Sequence, residues 1–151
     1  MKRLLIAYHS QSGASARLAV AAAAGARDCG EVEVLCHRCS DAGTREVMQA
    51  DALLLACAEN NGRLNGGAKD FLDRVFYPLI DRQRVLPYAL LISAGSDGRG
   101  AVAEAERIFR GIPFTQATEP QIVQGLPGAP ELEAAREFGE AFATGVAMAI
   151  F

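Results

Sequence analysis

Apolar residues arrive in short blocks separated by polar or glycine-rich stretches. Lys2–His9 is a basic start followed by a nearly continuous apolar run, the pattern of a strand buried on both faces. It halts at Ser10-Gln11-Ser12-Gly13. Ala14–Arg27, rich in Ala and free of Pro, predicts a helix that ends at Cys29-Gly30. Glu31–Cys36 alternates and is β-branched, which predicts a second strand. Ser40–Gly43 is turn chemistry, and Thr44–Gln49 a short helix candidate. Asp51–Ala58 suits a helix by propensity alone; its length and its stop at Glu59-Asn60-Asn61-Gly62 favour a third strand. In Gly66–Arg82, the residues Phe71, Leu72, Val75, Phe76, Leu79 and Ile80 form one helical stripe, and Pro78 predicts a kink or early stop. Pro87–Ala94 reads as a fourth strand, Gly95–Gly100 as a loop and Ala101–Arg110 as a helix. Phe114–Gln124 reads as a fifth strand broken near Pro120. Pro130–Ile150 is a closing helix, with Leu132, Ala135, Phe138, Phe142 and Val146 on one side.

Strand and helix alternate with short connections, so the expected architecture is α/β, a parallel sheet covered by helices on both faces. The chain has 151 residues, the size of one domain spanning 1–151. Half of them are hydrophobic and 22% charged, which excludes global disorder. A net charge of −3 gives no general pull toward nucleic acid or a membrane surface. No run reaches the roughly 18 apolar residues that cross a bilayer, and the apolar start ends too soon for a signal peptide. The expected location is therefore cytoplasmic. Two His make a His-rich metal site implausible, and Cys29, Cys36, Cys39 and Cys57 read as thiols rather than a disulfide frame.

Ligands of open parallel sheets bind beyond the carboxyl ends of the strands, where strand order reverses. Three loops leave such ends: Ser10–Ser15, Ala58–Gly66 and Ala94–Gly100. The first carries three hydroxyls and a Gly at a helix start, where backbone N–H groups are unpaired. Hydroxyls, close backbone approach and the helix dipole together suit a phosphate. The dipole contributes only about 0.3–1 kcal/mol, up to ~2 when partly buried. With no Lys or Arg in the loop, hydrogen bonds from neutral donors must supply the rest. The competing explanation is ordinary capping by Ser10 or Ser12.

Tyr8-His9-Ser10-Gln11-Ser12-Gly13-Ala14-Ser15 resembles the flavodoxin-family phosphate loop, Ser/Thr-x-Ser/Thr-Gly-x-Ser/Thr. Lys69, Phe71, Leu72, Asp73 and Arg74 are similar to the family's Met-Lys-x-Phe-Leu-Asp-Arg stretch, and Ser93–Gly100 resembles its Ser/Gly-rich segment beside the flavin. The likeness runs through essentially the whole chain. It implies a flavodoxin-like three-layer α/β/α sandwich, a five-stranded parallel sheet of order 2-1-3-4-5, with FMN as cofactor. It places the FMN phosphate on Ser10, Gln11, Ser12, Gly13, Ala14 and Ser15. Ala58, Glu59, Asn60, Asn61, Gly62, Arg63 and Leu64 would flank the flavin ring on one side. Ala94, Gly95, Ser96, Gly98, Arg99 and Gly100 would flank it on the other. Where the family often reads Thr-Pro-x-Tyr-Phe-Gly, this chain has Cys57-Ala58-Glu59-Asn60-Asn61-Gly62. Two Asn replace the aromatic pair and there is no Trp, which leaves Leu64 or a partner chain to cover the ring.

The implied function is an NAD(P)H-dependent oxidoreductase passing electrons through FMN to a quinone or similar small acceptor, possible as a homodimer. The alternatives are an electron carrier to a redox protein, and a flavodoxin-like domain with weak or lost flavin binding. The cofactor carries the chemistry, so no protein group is assigned as catalytic. Arg63 and Arg99 could stabilise a reduced flavin or a nucleotide phosphate; solvated loop arginines are the alternative. Cys36-His37-Arg38-Cys39 has dithiol spacing but no helix start behind it, and Cys57 falls at a strand end near the proposed ligand. Gly98-Arg99-Gly100-Ala101-Val102-Ala103 fits G-x-G-x-x-A after the wrong strand. His9 sits at the mouth of the site, where a satisfied strand-end His is the commoner case.

Overall fold

The computed structural model describes residues 1–151. At its centre β1 (Lys2–Tyr8) pairs in parallel with β2 (Val32–Arg38) and with β3 (Ala52–Asn60). The end of β3 turns back into a short antiparallel arm, β4 (Arg63–Leu64). β5 (Pro87–Ala94) lies beside β3 and is paired by two short pieces, β6 (Thr115–Gln116) and β7 (Gln121–Gln124). The path across the sheet is β2-β1-β3-β5 and then β6 and β7, with β4 an added arm on β3. Leaving out that arm and counting β6 and β7 as the one interrupted strand that the sequence predicts near Pro120, the five main strands run in the expected order 2-1-3-4-5.

Alternation along the strands sets the two cores. Leu5, Ala7, Leu53, Leu55, Leu90 and Ile92 face one layer, and Leu4, Ile6, Leu54, Ala56, Ala89 and Leu91 the other. The first core is closed by α2 (Thr44–Gln49), α3 (Gly66–Asp81) and α4 (Arg99–Gly111). The second is closed by α1 (Ala14–Asp28) and α5 (Ala129–Ala147). Burial on both faces explains why the strands read as continuous apolar runs. The α1–α5 seam is built from small residues, Ala19, Ala22, Ala23 and Ala26 against Ala135, Gly139 and Ala143. No helix is long and apolar enough to cross a membrane.

Four expectations are corrected. β3 does not stop at Ala58 but runs to Asn60, and Asn61-Gly62 reverses the chain with φ of 52° and 75°. An Asn-Gly pair with both φ positive matches the right-handed strand twist, so a tight hairpin replaces the expected open loop. α4 begins at Arg99, not Ala101, so Arg99 and Gly100 are helical rather than loop residues. Pro78 neither ends nor shortens α3, which continues to Asp81; near a helix end only one late N–H bond is lost. β2 continues through His37 and Arg38, and Cys39 opens a 3-10 turn, Cys39–Asp41.

Candidate functional site

The helices that open onto the carboxyl rim of the sheet differ in how their first turns are satisfied. Asn65 caps α3: its Oδ1 accepts the Ala68 N–H at 3.1 Å, and its Nδ2 donates to the His9 carbonyl at 3.4 Å. Glu59 caps α4 from across the rim. Its Oε2 accepts the N–H groups of Gly100 (2.8 Å) and Ala101 (3.3 Å), and its Oε1 accepts the Ser96 hydroxyl at 3.2 Å. A carboxylate there is favoured by the helix dipole and by charge-assisted bonds.

α1 has no such partner. Its N-cap is Gly13, with φ of 99° and no side chain to close the turn. Ser10 Oγ accepts the Gly13 N–H at 3.1 Å, one position ahead of the helix, and no side-chain oxygen reaches the first-turn N–H groups of Ala14, Ser15 and Ala16. The capping alternative thus holds for Gly13 N–H alone, through Ser10. Gly is required because an L side chain is strained at this φ. The turn therefore presents bare donors and a favourable dipole end to whatever sits above it.

The three predicted loops meet around a cleft of about 260 Å³. Ser12 and Ala14 come from the first loop, Ala58, Glu59 and Asn60 from the end of β3, and Ala94 and Gly95 from the end of β5. A second cavity of about 320 Å³ lies on the β2 side of the first loop, against Ser10, Gln11 and Gly13. Between the two, Asn60 Nδ2 donates to Gln11 Oε1 at 2.8 Å and ties the hairpin to the first loop. Asn60 thus acts as a polar latch between the hairpin and the first loop.

Other predicted residues lie outside the cleft lining. The Ser15 hydroxyl is buried and shares a hydrogen bond of 2.7 Å with Ser93, so Ser15 offers the rim its N–H and not its hydroxyl. Asn61, Gly62 and Arg63 form the exposed hairpin tip and the start of β4. Leu64 is buried in the core over α3 and α4, its N–H held by Glu104 at 2.8 Å. It therefore covers no flavin ring, a correction to the sequence reading. Gly98 is buried, and Arg99 projects from the first turn of α4 into solvent. Gly100 serves through its N–H to Glu59. His9 packs its ring on Gly67, where a Cβ would fall 2.0 Å from Nδ1, so it is a packed strand-end His. Cys57 is fully buried on the opposite face from α1, which removes it from the ligand. Burial pushes the thiols of Cys36 and Cys57 up and that of Cys39 to about 12, against activated dithiol chemistry. Sequence reasoning missed Gly125 and Leu126, which close the cleft from the end of β7; the turn signal Gly-Leu-Pro-Gly after the fifth strand was available.

No protein-family model matches the chain, and neither does any curated protein sequence. Solved structures do. A flavodoxin from the domain Archaea superposes with TM-score 0.81 at 18% identity, covering 95% of this chain and 98% of that one. A WrbA-like flavodoxin protein from Agrobacterium tumefaciens gives 0.80 at 17% identity, covering 98% and 99%. The chain has the flavodoxin fold. Rubredoxin:oxygen oxidoreductase from Desulfovibrio gigas gives 0.82 at 17% identity over 99% of this chain, which spans 37% of that larger protein. The same fold makes up nearly all of the archaeal flavodoxin and about a third of the longer Desulfovibrio gigas chain.

Proposed function

We propose that the protein binds FMN and moves electrons through it, taking hydride from NAD(P)H and passing electrons to a quinone or similar small acceptor. The observation that carries this reading is the uncapped first turn of α1 beside a cleft bounded by three loops. α3 and α4, at the same rim, are capped by Asn65 and Glu59. Leaving one helix start open while closing its neighbours fits a bound anion. The donors are neutral N–H and hydroxyl groups, which suit a phosphate monoester held by several short hydrogen bonds.

FMN supplies the redox chemistry when bound. The residues of this chain hold its phosphate at Ser12, Gly13, Ala14 and Ser15 and border its ring with Ala58, Asn60, Ala94 and Gly95. Glu59, anchored on α4, fixes the gap between the second and third loops. A cleft of about 260 Å³ is smaller than the ~300–1,000 Å³ of pockets that enclose a ligand.

The test is reconstitution. After incubation with FMN and desalting, the protein should keep flavin absorption bands and oxidise NAD(P)H when a quinone is added. Gly13→Val forces a β-branched residue to φ of 99° and should cut FMN-dependent turnover at least about tenfold while the fold persists by circular dichroism. A colourless protein without NAD(P)H consumption contradicts the proposal. Retained flavin that cycles electrochemically but ignores NAD(P)H moves the function to electron carriage between proteins.

A further inference from the structure

The cleft has one apolar side chain standing free at its edge. Leu126 is 80% exposed and lines the cleft opposite Asn60 and Ala58. It is not on a loose tip. The Gly125 N–H donates to the Ala94 carbonyl at 2.8 Å, binding this turn to the end of β5. Val123 and Pro127, on either side, are buried. Gly125 takes φ of 77°, which turns the chain so that Leu126 projects outward between those two anchors. A leucine held out of the core by buried neighbours forgoes burial that a bound apolar surface would restore.

The other candidates for covering a flavin ring are spent. Leu64 is in the core. Asn60 is engaged with Gln11, and Glu59 with α4. Every other lining residue is an Ala, Gly or Ser, too small to cover a ring. We propose that Leu126 is the residue that packs on the flavin ring, giving this chain an aliphatic cover where aromatic side chains are absent. This rests on the FMN reading above. It adds a consequence of its own: an aliphatic cover excludes water from the ring but does not quench its fluorescence as a stacked indole does.

Flavin fluorescence titrations of the wild type, Leu126→Ala and Leu126→Trp test it, with FMN and riboflavin as probes. Leu126→Ala should weaken both flavins by about the same factor, roughly tenfold, because the contact is to the ring they share. Leu126→Trp should tighten both several-fold and quench bound-flavin emission. At an exposed position neither change should alter the melting temperature of the apo-protein. If the wild type binds FMN and Leu126→Ala binds both flavins within twofold of it, the Leu126 assignment is wrong and the FMN reading stands. If the wild type binds neither flavin, both fall together.

Discussion

Cys57 and Cys39 show how far burial decides chemistry. Both sit among core side chains over α3, and loss of solvation disfavours the thiolate at each. For Cys39 the thiol is raised from 9.0 to about 12. A folded-state pKa above the unfolded one stabilises the fold fully below about pH 9 and loses that contribution as pH climbs toward 12. Stability should therefore decline through that window, and urea midpoints at pH 8, 10 and 11 measure it. Iodoacetamide at pH 8.5 should leave Cys39 and Cys57 unlabelled in the native protein and label both in urea, read by peptide mass spectrometry. Rapid native labelling of Cys57 would mean that the face away from α1 opens, which the packing of Leu55, Phe71 and Leu72 around it forbids.

At the level of elements, the site depends on two contacts that span long stretches of chain. Glu59 reaches the start of α4, and Gly139 lets α5 lie against α1. Replacing Glu59 with Ala should cost about 1–2 kcal/mol, the usual loss of a helix cap, read as a lower urea midpoint with an unchanged m-value. An unchanged midpoint would show that Gly100 and Ala101 find other acceptors. Gly139→Val should be worse, because a Cβ there falls 2.0 Å from the Ala22 carbonyl oxygen. Backbone must separate from backbone, costing roughly 1–3 kcal/mol or more. These contacts also explain what local reading could not supply. Arg99 and Gly100 read as loop because a Gly-Arg-Gly stretch has poor helix propensity; the carboxylate that starts the helix there is some forty residues earlier. Asn61-Gly62, by contrast, was a legible hairpin signal. Its polar neighbours Glu59 and Asn60 read as a stop after Ala58, because polarity there marks a strand leaving the core and not its end.

For the whole molecule, the three-layer plan was legible because strands buried on both faces announce themselves as apolar runs, and helices between them force parallel pairing; the order of the strands came only with the resemblance to flavodoxins. The rim was legible as three loops, while its contents depended on side-chain direction. Leu64 and Ser15 belong to the motif yet turn inward, one to the core and one to Ser93. Leu126 lies outside every motif and lines the cleft. What unites the rim is the contrast between capped and uncapped helices, and under the proposed function it is the phosphate, rather than the ring, that this contrast addresses. Calorimetric titration of the apo-protein with FMN and with riboflavin separates the two. Hydrogen bonds to a charged group contribute about 1.5–3 kcal/mol each. Even two from the α1 turn should make FMN bind on the order of a hundredfold more tightly than riboflavin. Equal affinities for the two flavins would show that the open turn of α1 holds no phosphate.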